Sequence, residues 1–85
     1  MLDIQMGSAQ AMMRIKTRDP SIAIYRDIQY PGYYVARLFD AGKETNIIMV
    51  KSDLEEMKQD IQEHTDMIFY PRTVTSHPDL IGVWY

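Results

Sequence analysis

Cysteine is absent from this chain of 85 residues, which removes disulfides, thiol chemistry and cysteine-bound zinc. The redox compartment is left open by the same absence. Long hydrophobic runs are missing too. The longest, Ile47 to Val50, has four residues, far short of the roughly 20 that a membrane-spanning helix needs. The opening MLDIQMGSAQAMMRIK places no basic stretch before an apolar one, so it does not read as a secretory signal. With no address in the sequence, an intracellular, cytoplasmic location is the expectation. Histidine occurs twice and in no metal-ligand spacing, a poor basis for zinc. Internal repeats and low-complexity tracts are also lacking.

What remains is ordinary globular material. Hydrophobic residues make up 46% and charged residues 25%, enough apolar content for a core in a single domain. The net charge of -3 is uneven. Residues 1–37 carry five basic and three acidic groups, an excess of +2. Residues 38–85 carry four basic and nine acidic groups, an excess of -5. Such polarity can orient a partner, but it is too small to imply nucleic acid by itself.

The stretch from Ile47 to Ile61 organises the rest. Its β-branched centre reads as a strand buried on both faces. A helix follows, with Leu54, Met57 and Ile61 on one side at i, i+3 and i+7. Ser52 reads as its N-cap, with Glu55 completing a capping box. The helix is expected over Asp53 to His64.

Before that point the chain alternates with a period of two. Residues 1–10 read as a flexible or partner-held arm, with 11–85 forming one domain. Ala11 to Arg18 alternates as a strand with a basic outer face, although Ser8 to Met13 can instead begin a short helix. Further strands are expected over Ile22 to Tyr30, Tyr33 to Asp40 and Thr45 to Lys51. They are joined by Arg18-Asp19-Pro20-Ser21, a type II turn at Tyr30-Pro31-Gly32-Tyr33, and a tight hairpin at Asp40-Ala41-Gly42-Lys43. After the helix, Met67 to Tyr70 and Leu80 to Tyr85 read as short strands. The expected fold is therefore α+β: an antiparallel meander of about four strands, one amphipathic helix packed on one face, then one or two short strands.

No residue pattern marks a catalytic, cofactor or metal site. Asp60 and His64 stand one helical turn apart, and His77 and Asp79 could join them only if their loop folds back. Ser76 beside His77 is no triad, because sequence neighbours rarely face each other productively. The candidate functional residues lie on surfaces. Tyr30, Tyr33 and Tyr34 crowd one turn, and tyrosine is favoured at interfaces. Glu56, Asp60 and Glu63 form an acidic stripe along the helix suited to a basic partner. Trp84 and Tyr85 end an apolar strand that has to be covered, within its own sheet or by a second copy of the chain. These residues point to a small non-enzymatic protein-interaction or regulatory module that self-associates as a dimer, with no membrane contact and an unidentified protein partner. The alternative is single-stranded nucleic acid on a sheet face built from Arg14, Lys16, Arg18, Arg26 and Arg37 with tyrosines between them.

Two segments also carry a family resemblance. Gly32-Tyr33-Tyr34-Val35-Ala36, followed downstream by Ser52-Asp53-Leu54-Glu55-Glu56, resembles HicB-type antitoxins, which run strand, strand, strand, helix. The spacing here is longer, an apolar strand stands where that family has a turn, and its Pro-Gly before the helix is missing. The resemblance implies a small regulator that works by binding another protein.

Overall fold

The computed structural model describes residues 2–73 and 78–85. Its elements are β1 (Ile4–Gln5), α1 (Ala9–Met12), β2 (Pro20–Arg26), β3 (Tyr34–Asp40), β4 (Lys43–Lys51), α2 (Leu54–His64), β5 (Phe69–Pro71) and β6 (Leu80–Trp84). The strands form one six-stranded sheet in the order β1-β4-β3-β2-β6-β5. The fold is α+β, but the sheet is mixed rather than wholly antiparallel. β1 runs parallel to β4, with Ile4 opposite Ile47, while every other pair is antiparallel.

Alternation along the strands sets the two faces. Ile22 and Ile24 of β2, Ala36 and Leu38 of β3, Ile47 and Met49 of β4 and Trp84 of β6 point to one side. There they pack against Ala9 and Met12 of α1 and Met57 and Ile61 of α2. Burying a side chain of this size is worth about 1.5–3 kcal/mol, so the apolar stripe of α2 is what holds it to the sheet. In β4 the residues Ile47, Ile48 and Met49 are all buried, as its continuous apolar centre requires of a strand covered on both sides.

The meander has three strands, β2, β3 and β4. The first expected strand, over residues 11–18, is replaced by the end of α1 and a connection that begins with a turn at Met13 and Arg14. Two local effects decide this. The Ser8 hydroxyl caps the turn by accepting from the Ala11 amide, and Ala9 and Met12 meet the core at helical spacing. Residues 14–18 keep the alternation of exposure but have no sheet partner. The arm expected over residues 1–10 supplies β1 and the start of α1. Its Met6 amide donates to the Ile48 carbonyl at 2.7 Å.

The N-cap of α2 is Asp53, not Ser52. Asp53 is extended (φ -113°, ψ 117°) and its side chain accepts from the Glu56 amide. That shift puts Glu55 one place too early for a capping box, yet Glu55 and Glu56 still occupy the first turn, where the helix dipole favours them.

The Tyr30–Tyr33 turn closes through the Tyr33 amide and Tyr30 carbonyl, with Gly32 at φ 82°, as a type II turn demands. In the β3–β4 hairpin Ala41 and Gly42 are both left-handed, at φ 52° and 77°. Paired positive φ values mark the turn class whose twist matches that of the strands. The terminal strand β6 lies between β2 and β5, so it pairs on both sides within its own chain. At the outer edge, β5 bonds inward through Ile68 and Arg72. By alternation Pro71 then falls where an amide would point outward, and proline has none.

Candidate functional site

The face turned away from the helices holds the only buried charged residue among those described. It is Arg37, in the middle of β3, with 6% exposure. The β3 residues Val35, Arg37 and Phe39 point this way, beside Ala23 and Tyr25 of β2 and Ile48 and Glu44 of β4. A register shift between Arg37 and Phe39 bulges β4 opposite Arg37. The bulge turns backbone toward the guanidinium, as such irregularities do. Thr45 holds it by donating its hydroxyl to the Leu38 carbonyl at 2.6 Å. Its own carbonyl accepts from Arg37 Nη1 at 2.8 Å.

Arg37 is closely bound on three further sides. Nη1 donates to Asp3 Oδ1 at 3.0 Å, and Nε donates to the Tyr25 hydroxyl at 2.8 Å. Glu44 Oε1 stands 3.2 Å from Nε. Burial works against the charge, but the bonds to Asp3 and Tyr25 outweigh it, so the Arg37 pKa lies above its ordinary value. Burial also raises the Tyr25 phenol above 10.0, with the Arg37 bond opposing it in part. The Tyr30 hydroxyl donates to Asp3 Oδ2 at 3.4 Å, which draws the turn at residues 27–33 toward this end of the face.

Above these groups is a hollow of about 620 Å³, walled by Tyr25, Asp27, Phe39 and Glu44 among others. Its lining carries four carboxylates (Asp3, Asp27, Glu44, Asp79) around the Arg37 guanidinium, while Arg26 at the rim turns its guanidinium to the Tyr34 ring on the other face. A second hollow of about 380 Å³ adjoins it and shares Ala23 and Phe39. Val83 and Tyr85 make its wall apolar. Next to it Ile68, Tyr70 and Tyr85 stand 62%, 51% and 66% exposed. Ile68 and Tyr85 exchange both backbone hydrogen bonds, and the Tyr70 and Tyr85 rings meet at 5.9 Å. The open face is thus part acidic hollow, part apolar patch.

The residues singled out from sequence divide among several places. Tyr30 reaches Asp3, Tyr33 is 47% exposed, and Tyr34 lies half-buried on the helix side beneath Arg26, whose guanidinium carbon is 4.5 Å from the ring centre. Trp84 is in the core, 5.2 Å from Phe69, while Tyr85 is on the surface. Glu56 and Glu63 are exposed on α2. Asp60 is not free for a partner: its Oδ2 accepts from the Ala9 amide at 2.8 Å and its Oδ1 lies 3.0 Å from His64 Nδ1. The five basic residues do not share a face. Arg37 is buried on the open side, Arg26 points to the helix side, and Arg14, Lys16 and Arg18 are exposed in the connection after α1. Ser76 and His77 lie outside the described residues.

Sequence reasoning missed Asp27, Glu44 and Ile68 and assigned no contact to Phe39 or Tyr70, while Tyr25 is one of the tyrosines it set between the basic residues. A signal for Phe39 was present: it shares one phase of β3 with Arg37. Among the described residues no three His, Asp or Glu side chains gather as metal ligands, and no helix is long and apolar enough to cross a membrane. No protein-family model, curated protein or solved structure matches this chain.

Proposed function

We propose that this chain is a non-enzymatic protein-interaction module that works through the open face of its sheet. Its partner is a protein segment that presents basic residues beside apolar ones. The observation that carries this reading is the pair of adjoining hollows, one lined by excess carboxylate and one by Val83 and Tyr85, sharing Ala23 and Phe39. Exposed aromatic and aliphatic side chains next to an acidic depression suit such a segment on both counts.

A second copy of the chain is the less suitable occupant. A two-fold pairing centred on the acidic hollow would set it against its own likeness, and like charges brought together out of water repel. Edge-to-edge pairing of two copies through the terminal strand is disfavoured because β6 already has a neighbour on each side.

The reading is tested by selecting short random peptides displayed on phage against the full chain. Enriched peptides should combine arginine or lysine with aromatic or aliphatic residues, and should bind less well at high salt. Tyr85→Glu and Ile68→Glu, checked for folding by circular dichroism, should abolish their binding. Absence of enrichment, or peptides indifferent to both substitutions, overturns the reading. A dimer seen by light scattering and dissolved by the same substitutions would replace the basic partner with a second copy.

A further inference from the structure

The hollow over Arg37 can be read more finely than the face around it. Resting on the open-face reading, we infer that this hollow receives one cationic side chain of the partner, an arginine or a lysine, between Asp27 and Glu44 and against the rings of Tyr25 and Phe39. Four observations converge on a cation.

The first is that the guanidinium on the floor already holds two carboxylates. Arg37 uses Nε and Nη1 on Tyr25, Glu44, Asp3 and the Thr45 carbonyl. An incoming phosphate or carboxylate would meet a guanidinium whose charge Asp3 and Glu44 already offset, while facing the other carboxylates of the wall. The second is acceptor capacity. Glu44 turns Oε1 to Arg37 and its side chain remains 56% exposed. Asp27 turns Oδ1 to the Gln29 amide, and its Oδ2 meets no partner among the described residues. Each carboxylate therefore keeps an oxygen for a charged donor, the stronger class of hydrogen bond.

The third is the aromatic wall. Tyr25 and Phe39 both line the hollow, and a cation over a ring face gains about 0.5–2 kcal/mol, the more so when water is excluded. The fourth is the Tyr25 hydroxyl. It accepts from Arg37 Nε and donates to no described residue, so its proton is available to a backbone carbonyl of the guest. The volume of about 620 Å³ leaves room for a side chain together with its adjoining backbone, within the usual range of ligand pockets.

The experiment is a titration of the isotope-labelled full chain, followed by the amide resonances of Tyr25, Asp27, Phe39 and Glu44. The probes are three blocked tripeptides with leucine at each end and arginine, citrulline or glutamate in the middle. Citrulline keeps the shape of arginine and removes its charge. Saturable shifts are expected with the arginine peptide alone. The double variant Asp27→Asn, Glu44→Gln should weaken that binding about tenfold or more; its asparagine retains an acceptor for the Gln29 amide. Should the variant fail to fold, the comparison of arginine with citrulline on the unaltered chain still decides. Equal binding of arginine and citrulline, preference for glutamate, or no saturable shift overturns the inference. If phage-selected peptides bind, lose affinity in Tyr85→Glu, and are indifferent to replacing their arginine by citrulline, the face is the docking surface and the hollow is not a cation receptor. If no peptide binds the face at all, both readings fall.

Discussion

Arg37 Nη1 and Asp3 Oδ1 meet at 3.0 Å across 34 positions of sequence. The pair joins the middle of β3 to the residue that precedes β1, and its side chains are 7% and 15% exposed. A buried guanidinium that loses its carboxylate keeps the cost of desolvation without the compensation. Asp3→Asn should therefore lower unfolding stability by about 1–3 kcal/mol, read from the urea midpoint at unchanged slope. Replacing both partners, Asp3→Leu with Arg37→Met, removes the stranded charge and should recover much of that loss. A double variant no better than Asp3→Asn would contradict this account of the pair.

Asp60 sits on the same helix as Glu56 and Glu63 but does different work. Its carboxylate accepts from the Ala9 amide, at the start of α1, where backbone donors have no helical partner. Together with Ser8 it decides that residues 9–12 turn rather than extend. Asp60→Ala should cost about 1 kcal/mol, the usual effect of deleting a cap. Glu63→Ala, whose side chain bonds only to Gln59 on the surface, should stay within about 0.5 kcal/mol. Equal effects in thermal melts would mean that the Ala9 contact contributes nothing.

Gly82 of β6 has no room for a side chain. A Cβ at that position would run into the Phe69 ring and come within 2.7 Å of the Tyr70 carbonyl oxygen. The carbonyl belongs to backbone and cannot swing away. Phe69 in turn lies 5.2 Å from Trp84 in the core. Gly82→Ala should destabilise by about 1–3 kcal/mol through overpacking, and the Phe69–Trp84 contact should loosen, visible as a change in tryptophan fluorescence. A neutral Gly82→Ala would show that β5 is free to move away from β6.

Much of this architecture was legible because it rests on local pattern. The apolar centre of β4, the stripe Leu54, Met57 and Ile61, and the turns at Pro31-Gly32 and Ala41-Gly42 each announce themselves within a few residues. What was hidden depends on distant partners. The alternation over residues 14–18 is real in exposure, yet no strand lies beside it. Ser8 and Asp60 had already turned the preceding segment into a helix. Arg37 looked like one of five basic surface groups because its partners Asp3, Tyr25 and Glu44 come from three other stretches of chain. Trp84 read as a side chain to be covered within its own sheet or by a second copy, and it lies in the core beside Phe69 of β5. The acidic hollow could not be read from the net charge of either half, since its carboxylates are drawn from both.

Alkaline pH probes the site without touching its partner. Burial raises the Tyr25 phenol above 10.0; the hydrogen bond and charge of Arg37 pull it down, and Asp27 and Asp3 push it up. A raised acid in the folded state means that the unfolded chain ionises first. The contribution to stability is thus complete below pH 10 and is lost as pH rises through the folded value. Tyr30 shifts in the same direction, so the alkaline limb of the parent chain includes both residues. Tyr25→Phe isolates one of them. At neutral pH the variant should be about 1 kcal/mol less stable, because Arg37 Nε loses an acceptor. Above pH 10 its stability should fall less steeply than that of the parent, and the two curves should converge. Denaturant unfolding across the alkaline range checks this directly. A constant gap between the curves would mean that the Tyr25 hydroxyl stays as well hydrated in the fold as in the open chain, and that the floor of the hollow is wetter than its geometry implies.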